Sequence, residues 1–292
     1  MKRLTILSVL ALAGCGGSSG AQGAVSDESM ITLTMSPFVV PAGGEVYRCQ
    51  DFANPFGGEG AFDAVESHLT AGSHHLFVFY RDGITNGPVE ECSGLEFSPG
   101  PYATQLRDER LEYPPGIAAV IGAGQGIRLN AHYLNTTSQD LSPTVFVKLR
   151  RVAPDAQYHR AGMFVMSTLK LDVEPYQSKT IPVDCTAPAD MNLVTVASHM
   201  HRHGVAFRSD VAGQSLYTSS TWDNPPRQLF NPSRLIQTGD KIHFECDFVN
   251  NTASALTFGE SASTNEMCVL FGQFYPYDTN GQVSLDCSPT GP

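Results

Sequence analysis

Gly124-Gln125-Gly126-Ile127-Arg128-Leu129-Asn130-Ala131-His132-Tyr133-Leu134-Asn135 alternates apolar and polar residues through its centre. Successive side chains of an extended strand point to opposite faces. Ile127, Leu129, Ala131 and Tyr133 therefore share an apolar face, and Arg128, Asn130 and His132 share the other. A second stretch, Gly239-Asp240-Lys241-Ile242-His243-Phe244-Glu245-Cys246-Asp247-Phe248-Val249-Asn250, lines up with the first from glycine to asparagine. Ser73-His74 can also be matched to Ser198-His199. Chance similarity between strands is the bland explanation. A tandem repeat is the sharper one, and it predicts two similar β-sandwiches joined near Ala153-Pro154-Asp155.

Outward from these stretches, β-rich runs recur at residues 31–35, 45–49, 75–80, 126–134, 144–152, 163–173, 193–199, 205–211, 241–249 and 269–275. Clusters of Gly, Pro, Asn and Asp separate them, and no run has the period of an amphipathic helix. The expected class is all-β, a sandwich or barrel.

Lys2 and Arg3 precede a short apolar run, and Leu12-Ala13-Gly14-Cys15 has the form of a bacterial lipobox. Residues 1–14 are expected to be a lipoprotein signal peptide, Cys15 the lipidated residue, and residues 15–29 a flexible Gly/Ser-rich tether. The apolar run is too short to span a bilayer. An ordinary signal peptide with an incidental cysteine is the plainer alternative. The lipobox places the protein in the bacterial cell envelope, periplasmic or surface-exposed, touching the membrane only through its lipid. The formal charge of the 292-residue chain is −11, and it becomes −13 once Lys2 and Arg3 are removed. That balance argues against nucleic acid and anionic membrane surfaces as partners and mildly favours neutral or cationic substrates.

Without Cys15, six of the seven cysteines remain. An even count in an exported chain reads as disulfides. If each half folds alone, Cys49 pairs with Cys92. Cys185, Cys246, Cys268 and Cys287 keep more than one pattern open. No C-x-x-C spacing suggests a cysteine metal site.

The histidines carry the chemistry. His199 and His201 in Ser198-His199-Met200-His201 stand two apart, on one face of a strand. Met267, in Glu266-Met267-Cys268, can add a thioether. Two imidazoles with a thioether form a soft donor set that selects copper, Cu(I) above all. His74, His75 and His132 form a second group, and three imidazoles suit copper or zinc. Adjacent His74 and His75 converge only if the strand bends, and Gly72 can supply the bend. The bland alternative packs His75 in the core between Phe77 and Phe79. His132, His199 and His201 all lie opposite the apolar faces of their strands, where a lone histidine would simply be solvated. His68 and His159 have no evident partner, and His243 faces outward. His203 extends the row as an outer hydrogen-bonding group or a spare ligand.

A histidine pair, His132-Tyr133, His199-x-His201-x-x-Gly204 and Glu266-Met267-Cys268, in this order, resemble the motifs of the copper type II, ascorbate-dependent monooxygenases. That is the family of the peptidylglycine α-hydroxylating and dopamine β-monooxygenases, and the likeness covers roughly residues 30–288. It implies two antiparallel jelly-roll domains, residues 30–153 and 154–292, with one copper each across a solvent-filled cleft. His74, His75 and His132 would hold an electron-transfer copper. His199, His201 and Met267 would hold the copper that binds oxygen and substrate. The implied disulfides are Cys49–Cys92, Cys185–Cys287 and Cys246–Cys268. The implied reaction hydroxylates a C–H bond of a small organic molecule with O2 and a one-electron reductant such as ascorbate.

Three positions depart from the peptide-amidating pattern. Ala197 stands where an arginine grips a substrate carboxylate, and Val269 and Phe271 replace an asparagine and a tyrosine. A peptide carboxylate is therefore not the expected substrate. An apolar, aromatic or amine-bearing molecule is. The alternative reading is a copper-binding lipoprotein for sensing, storage or delivery, without hydroxylase activity. The sequence does not indicate an oligomeric state.

Overall fold

A computed structural model describes residues 30–94, 100–277 and 283–289. The expected signal peptide, Cys15 and the tether lie outside the described residues. Every regular element among the described residues is a strand. They run β1 (Met30–Thr34), β2 (Glu45–Phe52), β3 (Gly60–Leu69), β4 (Ser73–Asp82), β5 (Glu90–Glu91), β6 (Tyr102–Thr104), β7 (Asp108–Glu112), β8 (Ile117–Ile121), β9 (Gln125–Leu134), β10 (Val145–Arg151) and β11 (His159–Arg160). There follow β12 (Gly162–Ser167), β13 (Asp172–Val173), β14 (Ser178–Thr186), β15 (Met191–His199), β16 (Gly204–Val211), β17 (Gln214–Ser219), β18 (Gln228–Ile236), β19 (Lys241–Val249), β20 (Leu256–Thr257), β21 (Val269–Tyr275), β22 (Val283–Asp286) and β23 (Ser288–Pro289).

The all-β expectation is met. Two sheets belong to the N-terminal half, one ordered β1-β10-β3-β8-β11 with β7 on β3, the other β5-β2-β9-β4-β6. Two more belong to the C-terminal half, ordered β18-β15-β21-β12-β22 and β17-β16-β19-β14-β23, with β13 and β20 as a small separate pair. The apolar face of β9 (Ile127, Leu129, Ala131, Tyr133) packs in one core cluster with Val65, Val147 and Leu149 of the facing sheet. Phe244, Cys246 and Phe248 of β19 pack likewise with Leu193, Val196 and Phe164. Alternation on each strand thus buries one apolar face per sheet. The chain passes between halves late, because β11 pairs with β8 and Ala161 packs in the first core.

The internal repeat has a structural counterpart. β9 and β19 are both central strands. Each ends at an asparagine that closes the same loop. Asn135 donates Nδ2–H to the carbonyls of Val40, Pro41 and Gln139 and accepts from Thr137. Asn250 donates to those of Val173, Glu174 and Ser254 and accepts from Thr252. Matching Ser73-His74 to Ser198-His199 does not hold. β4 lies beside β9, whereas β15 lies in a different sheet from β19. In chain order β4 corresponds to β16, which pairs with β19 as β4 pairs with β9.

Cys49–Cys92, Cys185–Cys287 and Cys246–Cys268 are disulfides, the pairing that the resemblance implies.

Candidate metal centre

Histidines from both halves converge on one place. β4 carries His74 and His75, and neighbouring β9 carries His132. The register between β4 and β9 slips between Ser73 and His75, a bulge that re-aims the first ring so that adjacent residues share a side. Gly72, at φ 96°, makes the turn that leads into this bulge, a conformation few other residues adopt. β15 ends at His199, and the turn beyond it carries His201. All five rings are buried, His132 and His201 with 0% exposure. Their polar faces are not solvated, because each half covers the other's.

The two histidine groups touch. Ring centroids lie 4.9 Å apart for His74–His75, 4.8 Å for His75–His132, 5.0 Å for His74–His199, 5.1 Å for His74–His201 and 5.1 Å for His199–His201. The tightest grouping crosses the halves, with nitrogens of His74, His75 and His199 within 4.8 Å of one another. The two expected ligand groups thus meet ring to ring rather than across a solvent-filled cleft. The cause is a set of contacts that closes the halves on each other.

The Glu45 carboxylate, at the start of β2, is central to that closure. One oxygen accepts from His132 Nε2 (2.9 Å) and from the Ala262 amide (2.7 Å). The other accepts from the hydroxyls of Ser261 (2.7 Å) and Ser263 (2.9 Å). Burial alone would raise its pKa, but these donors outweigh it and lower the pKa to about 2. Tyr47, two residues on, stacks on His132 with centroids 3.9 Å apart and donates its hydroxyl to the Glu260 carbonyl at 2.6 Å.

The same segment serves the second group. The Asn265 carbonyl lies 3.1 Å from His201 Nδ1. Buried Glu266 accepts from the backbone amides of His201 (2.9 Å) and His203 (2.7 Å). Met267 follows, and Cys268 is bonded to Cys246. Residues 260–268 thus join the partner of His132 to the loop bearing His201 and to the methionine.

These partners fix the ring nitrogens. His132 Nε2–H donates to Glu45, leaving Nδ1 without a partner, and His201 Nδ1–H donates to Asn265, leaving Nε2. His74 Nε2, both nitrogens of His75 and His199 Nε2 are also buried without a partner. Burial, and then the neighbouring imidazoles, hold His74, His75 and His199 well below 6.5, and burial brings His201 down to about 4. Neutral rings with inward unpaired nitrogens are what a soft cation requires. The donor set fits copper.

A largely apolar cavity borders the cluster. His75, His199 and Met267 line it beside Phe77, Phe79, Val165, Val269 and Phe271. Ala197, paired with Phe271 across β15 and β21, belongs to the same apolar group. His75 borders Phe77 at 4.6 Å and the histidine cluster at once.

His203 is buried, and its amide is held by Glu266. His243 sits between Asp184 and Glu245 on the outer sheet. His68 and His159 are not partnerless. His68 meets Asp108 at 2.6 Å, and His159 stacks near Tyr275. Sequence reasoning missed Glu45, Tyr47 and the role of Glu266. Across β2 and β9, Tyr47 is opposite His132, so Glu45 shares that face one step away. Strand pairing reveals this, and a single sequence does not.

An all-β frame with a buried five-histidine centre beside an apolar cavity defines a candidate copper protein with room for an organic molecule. Residues 159–289 match the C-terminal domain of the copper type II ascorbate-dependent monooxygenases. Peptidyl-glycine alpha-amidating monooxygenase A of Xenopus laevis is 23% identical over 275 residues, 87% of this chain and 29% of that protein. This chain thus spans under a third of that relative's length. The chain is similar to the copper type II, ascorbate-dependent monooxygenases, most directly over residues 159–289. Among solved structures, the major capsid protein P2 of bacteriophage PM2 matches at 8% identity and TM-score 0.39, covering 86% of this chain and 99% of that one. At that score the likeness carries no argument.

Proposed function

We propose that this protein is an exported copper-dependent monooxygenase that hydroxylates a C–H bond of a small, largely apolar molecule with O2 and ascorbate or another one-electron reductant. The observation that carries the reading is the set of buried, unpaired imidazole nitrogens at the wall of an apolar cavity. His74, His75 and His132 would hold one copper. His199, His201 and Met267 would hold the second, where O2 and substrate meet. Bound copper would supply one-electron redox chemistry. The protein's own residues do the rest. Glu45 and Asn265 orient His132 and His201, and Glu266 holds the backbone between His201 and His203. Phe77, Phe79 and Phe271 exclude water and position an apolar body. The recurring Asn135 and Asn250 loops support two jelly-roll sandwiches as the frame. Three disulfides support an oxidising compartment, consistent with anchorage in the cell envelope through Cys15.

Met267→Ala tests the assignment. Cu(I) affinity should fall at one of two bound coppers and stay unchanged at the other, since only one ligand set contains the thioether. Ascorbate-dependent oxygen uptake should be lost. Loss of all copper, or two coppers with unchanged Cu(I) affinity, would show that Met267 is not a ligand. A wild-type protein with two reducible coppers and no oxygen uptake with any substrate would instead be a copper-binding lipoprotein.

A further inference from the structure

The five histidines are not held alike. His132 gives Nε2–H to Glu45 and lies against the Tyr47 ring, 3.9 Å away. His201 meets the Asn265 carbonyl through Nδ1. These ties run to residues outside the cluster, so turning either ring inward would break them. His74 and His199 each present a buried Nε2 with no partner, and both nitrogens of His75 are in that state.

Those three rings also face one another. One nitrogen from each of His74, His75 and His199 lies within 4.8 Å of the other two, and no other three His, Cys, Asp or Glu ligands among the described residues come so close. An imidazole nitrogen sits about 2.0–2.1 Å from a bound transition ion, so two ligands of one ion are at most about 4.2 Å apart. Small ring rotations close that difference. An ion can enter from the cavity, because His75 and His199 line its wall. Three imidazoles suit copper. None of the three is an anion, so the charge of the ion stays uncompensated in a buried place. The cost of burying charge rises steeply with its size, and this favours a monovalent ion over a divalent one.

We propose that His74 and His75 from the N-terminal half and His199 from the C-terminal half form one Cu(I) site shared between the halves, which fills before either half's own group holds an ion. An ion there uses two members of the N-terminal group and one of the C-terminal group. Neither group then keeps three ligands. A second ion is left with His132, or with His201 and Met267, and binds more weakly. The shared site stands on the geometry alone. Only its consequence for catalysis, that a two-copper enzyme must part the two groups before turnover, rests on the proposed function.

The test is an anaerobic titration of the metal-free protein with Cu(I) in competition with bicinchoninate. The first equivalent should bind tightly and the second at least about tenfold more weakly. X-ray absorption at one equivalent should show nitrogen ligands and no sulfur. His75→Ala and His199→Ala should each weaken the first equivalent by about a hundredfold or more, since even outer partners of metal-bound imidazoles are worth about 10–100-fold in affinity. Met267→Ala should leave the first equivalent unchanged. Two separate sites predict otherwise. Each single histidine variant would then keep one intact group and a tight first equivalent, and only the double variant would lose both. Should an alanine variant melt early, His75→Asn or His199→Asn keeps a polar side chain there, and the same loss is expected. Wild-type affinity for the first equivalent in either single variant would overturn the proposal, as would sulfur scattering at one equivalent. Excess Zn(II) should leave the Cu(I) in place, and displacement would overturn the choice of a monovalent ion. Oxygen uptake is measured on separate samples. A shared site without uptake would refute the monooxygenase reading and leave this site standing, and uptake with two independent sites would do the reverse.

Discussion

Five imidazoles lose their water together in this centre, and a buried ring resists taking a proton. His74, His75 and His199 are held well below 6.5 by burial and by one another, and His201 is brought to about 4 by burial. Unfolding returns them to the range of 6.5. Between pH 6.5 and about 4 the unfolded chain thus binds protons that the folded chain refuses, and stability falls as pH falls. Glu45, lowered to about 2, acts in the same direction over a lower range. Its contribution is complete above 4.5 and is lost as pH drops toward 2. Glu266 acts the other way. Burial raises it to about 7 against the pull of the His203, His201 and Met267 amides, so its contribution is lost as pH rises from 4.5 to 7. The imidazoles outnumber it. The melting temperature of the metal-free protein should therefore drop steadily from pH 7 to pH 4.5. Glu266→Gln should make the drop steeper by removing the opposing carboxyl. A flat profile would mean that the rings are solvated.

At the scale of elements, residues 260–268 tie the centre together. Glu45→Ala strips partners from the Ala262 amide, from His132 Nε2–H and from two serine hydroxyls. Several shared hydrogen bonds lost at once should cost about 2–4 kcal/mol in urea denaturation, with non-additivity already allowed for. Glu45→Gln retains one acceptor and should cost less. A loss below about 0.5 kcal/mol for the alanine variant would show that the segment docks without Glu45. The sequence picks out the candidate ligands but not this tie. His74, His75, His132, His199 and His201 stand in short motifs that survive inspection of one strand at a time. Glu45 acquires its role only when β2 lies beside β9 and a loop from the other half descends on both. Strand reading had the same limit. β19 was legible to the residue because its alternation is clean, and β21 because its run is mostly apolar and almost entirely buried. β3 was missed because its buried residues do not alternate, and β14 because polar residues and Pro182 interrupt it. β18 was missed because most of its residues are exposed or half-buried.

Across the whole molecule the halves are also joined by the buried Arg227–Glu109 pair. Tyr102 supports it, donating its hydroxyl to Glu109 at 2.7 Å. Burial of such a pair is weak evidence of net stabilisation, but removing one partner strands the other charge. Arg227→Met should therefore cost about 3–5 kcal/mol in urea denaturation, and adding Glu109→Gln should recover part of that loss. No recovery in the double variant would show that Arg227 acts through its packing on Phe271 and Tyr102 rather than through its charge. The convergence of rings from β4, β9 and β15 also sets an order in time. His75 and His199 are far apart along the chain, and closing so long a loop comes late, after each half has built its own sheets. Before that moment the N-terminal half offers three imidazoles and the C-terminal half two. The complete centre is a product of docking, so a metal ion bound there would arrive last and then hold shut the arrangement that admitted it.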